Sequence, residues 1–262
     1  MSIYVSNLRF GFVFSAPLWC NICSGVTESS QKTAASVLVV DVGGHNVKIL
    51  ATGQSEPRKL ATGPKFTPGE MVVGVKELTR DWKYDVVTIG FPAPVRQDRP
   101  VEEPFNLGRG WVGFDYQGAF GRPVKMINDA AMQALGCYQR GKMLFLGLGT
   151  GLGSSLIVEG IVVPTELCRL PYKKETFEDY VGTRGLERFG KKKWRRYVDD
   201  VVARFIAALE PEDVVLGGGN VKYLKDIPPG CRIVENNSAF AGGFRLWEQG
   251  GQSRSQEPES RS

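Results

Sequence analysis

The sequence is poor in the residues that build metal centres and disulfide frameworks. Its 262 residues contain one histidine, His45, which excludes metal sites built on several imidazoles and leaves a single candidate base for a catalytic triad. The cysteine count is odd and the spacing scattered, which argues against a disulfide framework. Cys20 and Cys23 form a CxxC pair, but no second pair completes a zinc site. A redox or metal role for this pair is therefore an unfavoured alternative.

The sequence also lacks any apolar run of the roughly 18 residues that span a bilayer, so we expect no contact with a membrane. The content of hydrophobic residues, 42%, is ordinary and allows a sizeable core. The length fits one large domain, or two small ones around a shared cleft. The net charge of +5 suits a polyanionic ligand or simply a solvated surface.

The two ends of the chain differ in composition from the rest. Residues 10–19 are apolar and a Ser/Thr-rich stretch follows, which fits either a signal peptide with Arg9 as a thin positive region or an extension outside the fold. We prefer the second interpretation for residues 1–35, because the domain that follows has a cytosolic character. Deleting them should leave activity and melting temperature nearly unchanged. The tail, residues 250–262, is rich in Gly, Gln, Ser and charge and is predicted to be disordered.

Strand and helix patterns alternate through the remaining chain. Apolar, β-branched runs predict strands, and longer amphipathic stretches predict helices. Strands are expected at 36–41, 47–50, 86–90, 124–128, 142–148, 154–158 and 213–216, and helices at 68–83, 129–139 and 194–209. Hairpins with glycine turns near 36–50 and 142–165 each open a half of α/β character. We infer a duplicated fold with two lobes, residues 36–135 and 136–249.

Three glycine turns follow apolar strands, at 41–48, 146–153 and 216–220. Glycine lets the backbone approach a ligand and lets successive N–H groups form a nest for an anion. One such turn is weak evidence, since hairpins often use glycine for geometry alone. None matches the P-loop pattern, and the turn at Gly149–Gly151 runs into a strand rather than the helix of a dinucleotide site. Phosphate binding is the hypothesis that remains.

Residues 184–196 carry the densest positive charge. Such a run is most often a solvated helix end. Its sharper interpretation is a track for a polyphosphate chain, because clustered Lys and Arg gain affinity for a polyanion through counterion release. No helix-turn-helix pattern precedes the rest of the chain, so we expect no nucleic-acid partner.

Taken together and in order, short motifs resemble those of the ROK family of sugar kinases, and polyphosphate glucokinases most closely. The resemblance covers residues 37–247. The matching segments are DVGGHNVK at 41–48, GFP at 90–92, Asn106 before GWVG at 110–113, NDA at 128–130, LGTGLGS at 148–154, VPTEL at 163–167, LGGG at 216–219 and NNSAFAG at 236–242. No single motif is decisive, but their joint order is specific.

The resemblance implies an α/β, two-lobed actin/hexokinase-like (ribonuclease H-like) fold with a cleft between the lobes. It implies phosphoryl transfer from ATP or polyphosphate to the 6-hydroxyl of glucose or a related hexose, with Mg²⁺ as cofactor, in the cytoplasm. A homodimer stays open. Asp129 is implied as the base, although its place at a strand–helix junction also fits an N-cap or first-turn aspartate. Asp41 is implied to hold Mg²⁺ through water.

The remaining residue roles follow from the same resemblance. Asn106, Asn128 and Glu166 are implied to bind sugar hydroxyls, although each alone could be an ordinary polar loop residue. The implied phosphate-binding residues are Gly43, Gly44, Asn46, Lys48, Gly149, Thr150, Gly151 and Gly218. Lys48 fits a surface charge on the strand equally well.

Three departures from the family pattern bear on specificity. Arg169 stands where the family usually has a sugar-contacting histidine, the cysteine-rich zinc motif is missing, and His45 stands where Thr, Ser or Gly is usual. Polyphosphate glucokinases lack the zinc motif as well. Because Arg169 replaces the sugar-contacting histidine, a non-catalytic sugar-binding or regulatory relative is the alternative function.

Overall fold

A computed structural model of the chain describes residues 35–234 and 237–248. Residues 1–34, 235–236 and 249–262 lie outside it, together with the predictions for the CxxC pair and the two termini. The strands are β1 (Val37–Val42), β2 (Asn46–Ala51), β3 (Arg58–Ala61), β4 (Val86–Phe91), β5 (Val95–Arg96), β6 (Arg99–Pro100), β7 (Val124–Asn128), β8 (Lys142–Leu148), β9 (Leu152–Val158), β10 (Ile161–Thr165), β11 (Pro171–Tyr172), β12 (Glu175–Thr176), β13 (Asp213–Gly217) and β14 (Cys231–Ile233). The helices are α1 (Pro68–Leu78), α2 (Tyr116–Phe120), α3 (Asp129–Cys137), α4 (Phe177–Val181), α5 (Thr183–Leu209) and α6 (Ser238–Glu248).

The first large sheet has the strand order β3-β2-β1-β4-β7. β1 and β2 form the predicted antiparallel hairpin, and β1, β4 and β7 run parallel. All six residues of β4 are buried, as expected for a strand covered on both faces. The parallel register places Asp41 beside Gly90 and Phe91 beside Asn128. The ends of β1 and β7, on either side of β4, therefore bring Asp41 and Asn128 to one edge of the sheet.

The second large sheet repeats this plan with the order β10-β9-β8-β13-β14. β8, β9 and β10 form an antiparallel meander, while β8, β13 and β14 are parallel. Each sheet thus consists of three antiparallel strands followed by two parallel additions. The predicted duplication of fold without close sequence repetition is confirmed.

Helices α3 and α6 cross at very short distance, and two glycines permit it. A Cβ atom on Gly136 would lie 1.8 Å from the carbonyl oxygen of Ser238, and one on Gly242 would lie 1.8 Å from that of Met132. α6 also packs on the first sheet, where Phe240 joins a buried cluster with residues of β1 and β4. The last described helix therefore holds α3, and with it Asp129, against the first sheet.

Three helix boundaries differ from the predictions. α1 ends at Leu78 instead of near residue 83, because the backbone of Thr79 leaves the helical conformation, with φ −111° and ψ 14°. The N–H and the hydroxyl of Thr79 both donate to the carbonyl of Val75 and close the last turn. α3 ends at Cys137 rather than near 139. α5 begins at Thr183 rather than near 194, with a break at Gly190, whose φ is 70°. Lys, Arg and Glu favour helix, so the whole basic stretch 184–196 is helical apart from this break. Within the described residues, no helix is long and apolar enough to cross a membrane.

Candidate functional site

Asp129 is the first residue of α3, directly after β7. The preceding residue, Asn128, caps the helix, since its Oδ1 accepts the N–H of Ala131 at 3.1 Å. The N-cap alternative for Asp129 is therefore wrong, and its position is in the first turn. There its Oδ1 accepts the N–H of Ala130 at 2.7 Å, and no hydrogen bond from the described residues occupies Oδ2.

The environment of Asp129 makes its carboxyl a weaker acid than an ordinary aspartate. Burial raises the pKa of this carboxyl to about 7, and the negative charges of Asp41 and Glu166 push it in the same direction, against the hydrogen bond from Ala130. These three carboxylates come from the ends of β7, β1 and β10. A carboxylate with a pKa near neutrality suits a general base.

Asp41 lies at the end of β1 with a side chain only 15% exposed. Burial raises its pKa, partly offset by Lys48, whose Nζ lies 4.0 Å from Asp41 Oδ2. Gly90, on the neighbouring strand, leaves space for the side chains of Met132 and Asp41. A Cβ on Gly90 would lie 2.1 Å from Cε of Met132 and 3.6 Å from Oδ1 of Asp41. Lys48 thus offsets part of the effect of burial on the pKa of Asp41. A contact between Lys48 and phosphate stays a prediction.

A magnesium ion would find a sparse set of protein ligands here. Among the described residues, no group of three or more His, Cys, Asp or Glu side chains is arranged to hold a metal. Mg²⁺ commonly keeps several waters and takes one or two carboxylates plus substrate phosphates. Asp41 fits that donor set, so the ion would be held mainly by water and by the phosphates it accompanies.

The first glycine turn connects β1 to β2. The N–H of Gly43 donates to the carbonyl of Asn46 at 3.0 Å, and the hydroxyl of Thr62 donates to the carbonyl of Gly43 at 3.1 Å. Asn106 lies against this turn, because a Cβ on Gly44 would be 3.3 Å from Cβ of Asn106. The structure therefore brings a predicted phosphate-binding turn and a predicted sugar-binding residue together.

The loop that carries Asn106 is organised by Glu103, which the sequence analysis missed. Its carboxylate accepts three successive backbone N–H groups, those of Gly110, Trp111 and Val112, at 3.2, 3.1 and 3.3 Å. An acidic residue just before a Gly-rich loop was the available signal, but such residues are common on loops. Residues 101–113 are hereafter called the 101–113 loop.

The second and third glycine turns are joined through two polar side chains. The carbonyl of Gly149 accepts the N–H and the hydroxyl of Thr183, both at 3.0 Å, and the amide of Asn220 at 2.9 Å. The N–H of Asn220 donates to the carbonyl of Leu148 at 2.9 Å. Asn220 belongs to the third turn but was not selected as a site residue, and Thr183 gave no signal. Together they hold the two turns in one fixed arrangement.

Two glycines of these turns lie very close to other parts of the chain. Gly218 has a φ of +85°, and a Cβ there would lie 2.4 Å from the carbonyl oxygen of Leu148. A Cβ on Gly151 would lie 2.6 Å from Oε2 of Glu178. Thr150 between the glycines is exposed, so its hydroxyl is accessible to an anion.

Glu166 and Glu178 place two carboxylates near the second turn. Glu166 follows β10 and precedes the short 3₁₀ helix Leu167–Arg169. The pKa of Glu178 is raised by burial, then by Asp179 and Glu166. Glu178 was missed because it lies in a five-residue helix with no distinguishing pattern. An exposed carboxylate, Glu166, and a partly buried one, Glu178, can both accept hydrogen bonds from a polyhydroxylated ligand.

Asn128 is more constrained than its predicted role suggests. Besides capping α3, it donates from Nδ2 to the carbonyl of Ala93 at 3.4 Å, and only 8% of its surface is exposed. Among the described residues these bonds leave one amide hydrogen free. Sugar binding by Asn128 stays a prediction.

Comparisons with known proteins add sequence relatives. No family model matches the chain. It is 26% identical over 202 residues to a polyphosphate glucokinase of Mycobacterium tuberculosis (strain ATCC 25618 / H37Rv), covering 69% of this chain and 76% of the relative. It is 28% identical over 150 residues to the bifunctional enzyme NanE/NanK of Brucella melitensis, covering 52% of this chain but only 29% of that enzyme.

Solved structures share the fold. The inorganic polyphosphate/ATP-glucomannokinase of Arthrobacter sp. strain KM matches with a TM-score of 0.70 and 23% identity, over 82% of this chain and 99% of that one. The ROK hexokinase of Thermus thermophilus matches with a TM-score of 0.64 and 20% identity, over 82% and 100%. The predicted two-lobed actin/hexokinase-like fold is confirmed. The chain resembles the ROK sugar kinases and, in sequence, the polyphosphate glucokinases.

Proposed function

We propose that this protein is a sugar kinase that transfers a terminal phosphoryl group from ATP or polyphosphate to the 6-hydroxyl of glucose or a related hexose. The observation that carries the proposal is Asp129, a carboxylate with a pKa of about 7 near Asp41. Relatives named as polyphosphate glucokinases support the same reaction. A coupled assay of glucose phosphorylation, run with ATP and with polyphosphate side by side, tests it.

In the proposed reaction Asp129 accepts the proton of the sugar hydroxyl through its free Oδ2. The hydroxyl oxygen bonds to the terminal phosphorus as the bond from that phosphorus to the bridging oxygen breaks, and the shortened donor leaves with the electron pair. Such transfer depends on positioning and charge neutralisation more than on covalent help. Bound Mg²⁺, beside Asp41, would neutralise charge on the donor phosphates.

The remaining site residues divide between the two substrates. We assign Asn106, Asn128 and Glu166, with Glu178, to the hydroxyl groups of the sugar. We assign the first and second glycine turns and the start of the third to the donor phosphates, through Gly43, Gly44, Asn46, Lys48, Gly149, Thr150, Gly151 and Gly218. A cytoplasmic location and a homodimer stay predictions.

The alternative is a sugar-binding protein that does not catalyse transfer. Arg169 favours it, because the histidine that the family usually has there is absent and the arginine is held by two glutamates. Glucose binding without phosphorylation by either donor would support this alternative. Turnover with at least one donor would exclude it.

The rate of sugar phosphorylation should depend on the protonation of Asp129. Because its pKa lies at about 7, the carboxylate form that accepts a proton is lost as the pH falls through that value. We expect kcat/KM for the sugar to fall about tenfold per pH unit below about 6, and to level off above about 8. A profile that is flat between pH 5 and 8 would contradict the assignment of Asp129 as the base.

The basic part of α5 supports polyphosphate as one of the donors. Nζ of Lys191 and Nζ of Lys222 lie 4.8 and 5.1 Å from the ring centre of Tyr223, and Nε of Arg195 donates to the Tyr223 carbonyl at 2.6 Å. Tyr223 ends the 3₁₀ helix that directly follows Asn220. A long polyanion leaving the third glycine turn would therefore meet this group of cations.

Neutralising the lysines of this surface should separate the two donors. Changing Lys191, Lys192 and Lys193 to Gln is expected to raise KM for polyphosphate by roughly tenfold and KM for ATP by less than twofold. Added salt should weaken polyphosphate use more steeply in the native protein, because more counterions are released. Steady-state kinetics with both donors at two salt concentrations measure this.

A matched control changes three exposed cationic residues of the first half, Lys76, Arg80 and Lys83, to Gln. This removes the same charge at a distance from the basic part of α5, and KM for both donors should stay unchanged. If the Lys191–Lys193 variant changed KM for both donors equally, the basic part of α5 would be an ordinary solvated helix surface and would not bind polyphosphate. Absence of any turnover with polyphosphate would make ATP the donor.

A further inference from the structure

Arg169 binds two carboxylates that belong to different halves of the chain. Its NH1 and NH2 groups donate to the two carboxylate oxygens of Glu102 at 3.2 and 2.8 Å. Its Nε lies 3.4 Å from Oε2 of Glu166. Such a fork is specific to arginine, because lysine presents a point charge that cannot match two oxygens in parallel.

The partner Glu102 lies in the 101–113 loop. The next residue, Glu103, binds the backbone of the same loop at Gly110, Trp111 and Val112. Asn106, between these anchors, lies against Gly44. A contact that fixes Glu102 therefore also restricts the position of Asn106.

The other partner, Glu166, lies among negative charges. It acts on Asp129 and on Glu178, raising the pKa of each. Arg169 is the cation that binds Glu166 directly, and it also lowers the pKa of Glu178. Without Arg169, Glu102 and Glu166 would lose the cation that both contact, and no other ion pair of the described residues would join them.

We propose that Arg169 is a positioning residue that clasps the 101–113 loop to Glu166, so that sugar affinity depends on this ion-pair network. The inference rests on the proposed sugar-kinase function, because Asn106 and Glu166 are its sugar-binding residues. The Arg169 and Glu102 side chains are 53% and 50% exposed, and ion pairs this exposed add little to folding stability. The effect of the contacts of Arg169 with Glu102 and Glu166 should therefore appear in ligand binding.

The test measures glucose binding without any phosphoryl donor. Arg169→Ala and Glu102→Gln should each weaken glucose binding by roughly three- to fivefold, the upper range for a half-exposed pair. The double variant should be no weaker than the single ones, because both remove the same interaction. Arg169→Lys should lie between Arg169→Ala and the native protein.

The salt dependence of glucose affinity tests the ion-pair network, because a purely structural role of Arg169 would not change it. Glucose is neutral, so raising the salt from about 0.05 to 0.5 M should weaken its binding only through the ion-pair network, by screening. We expect this loss in the native protein and not in Arg169→Ala. Arg204→Ala removes a similarly exposed pair with Asp200, and it should behave like the native protein.

Amide hydrogen exchange separates this inference from the proposed function. In Arg169→Ala the amides of Gly110, Trp111 and Val112 should exchange faster, with or without sugar. If both their exchange and glucose affinity match those of the native protein, the inference is overturned. If the native protein neither binds nor phosphorylates a hexose, the proposed function fails and the effect on sugar affinity fails with it. The exchange rates of these three amides then still decide whether Arg169 holds the 101–113 loop in place.

Discussion

Replacing Asp129 by asparagine is expected to lower the turnover of hexose phosphorylation by at least about 100-fold, the usual contribution of a general base. Asparagine has nearly the same size, and its amide oxygen can still accept the N–H of Ala130, but it cannot take a proton. Measuring kcat at pH 8 with saturating hexose and each donor tests this. Hexose affinity should largely survive, because the change touches the proton transfer.

The same variant should be more stable than the native protein at high pH. The pKa of Asp129 is about 7 in the fold, against about 3.9 for an unfolded aspartate. Ionisation therefore favours the unfolded state, and this penalty grows between about pH 4 and 7 and persists above that range. We expect the Tm of Asp129→Asn to exceed that of the native protein by several degrees at pH 8, and to match it near pH 4.

Asp115→Asn provides the control for Asp129→Asn. Asp115 caps α2 through a bond from the N–H of Gly118 to its Oδ1 at 2.9 Å, and asparagine caps helices about equally well. Its turnover should match that of the native protein. If Asp129→Asn kept turnover within a few-fold of the native value, Asp129 would not be the base. A lower Tm at pH 8 would contradict the raised pKa.

The largest loss of stability is expected from Gly242→Ala, at roughly 3 kcal/mol or more. A Cβ on Gly242 would lie 1.8 Å from the carbonyl oxygen of Met132 and 2.9 Å from the backbone nitrogen of Gly136. Both are helix backbone, which cannot move aside as a flexible side chain can. α6 would have to separate from α3, which carries Asp129, so activity should fall as well.

Urea denaturation of Gly242→Ala and Gly69→Ala makes this comparison directly. Gly69 also lies in a helix, α1, but a Cβ there would meet nothing within 4 Å. Because alanine favours helix over glycine, Gly69→Ala should be unchanged or more stable by up to about 1 kcal/mol. A native-like unfolding midpoint for Gly242→Ala would contradict the close crossing of α3 and α6.

Local features of this chain were predictable because they depend on residues close in sequence. The apolar, β-branched runs at 36–41 and 86–90 predict strands, the first of them buried, and both lie in the interior of the first sheet. Glycines after such strands predict tight turns. The junction at Asn128 and Asp129 predicts a helix start, although not which of the two caps the helix. That depends on which side chain points back to the N–H of Ala131.

The composition of the site depends on the tertiary structure. Asp41 and Glu166 are far from Asp129 in the sequence, and both act on its pKa only because three strand ends meet. Burial in the folded chain raises the pKa of Asp129, and isolated segments cannot provide it. The roles of Glu103 and Arg169 likewise depend on partners in other segments. Secondary structure follows from local backbone and hydrophobic preferences, whereas charge interactions and desolvation depend on distances that only chain packing sets.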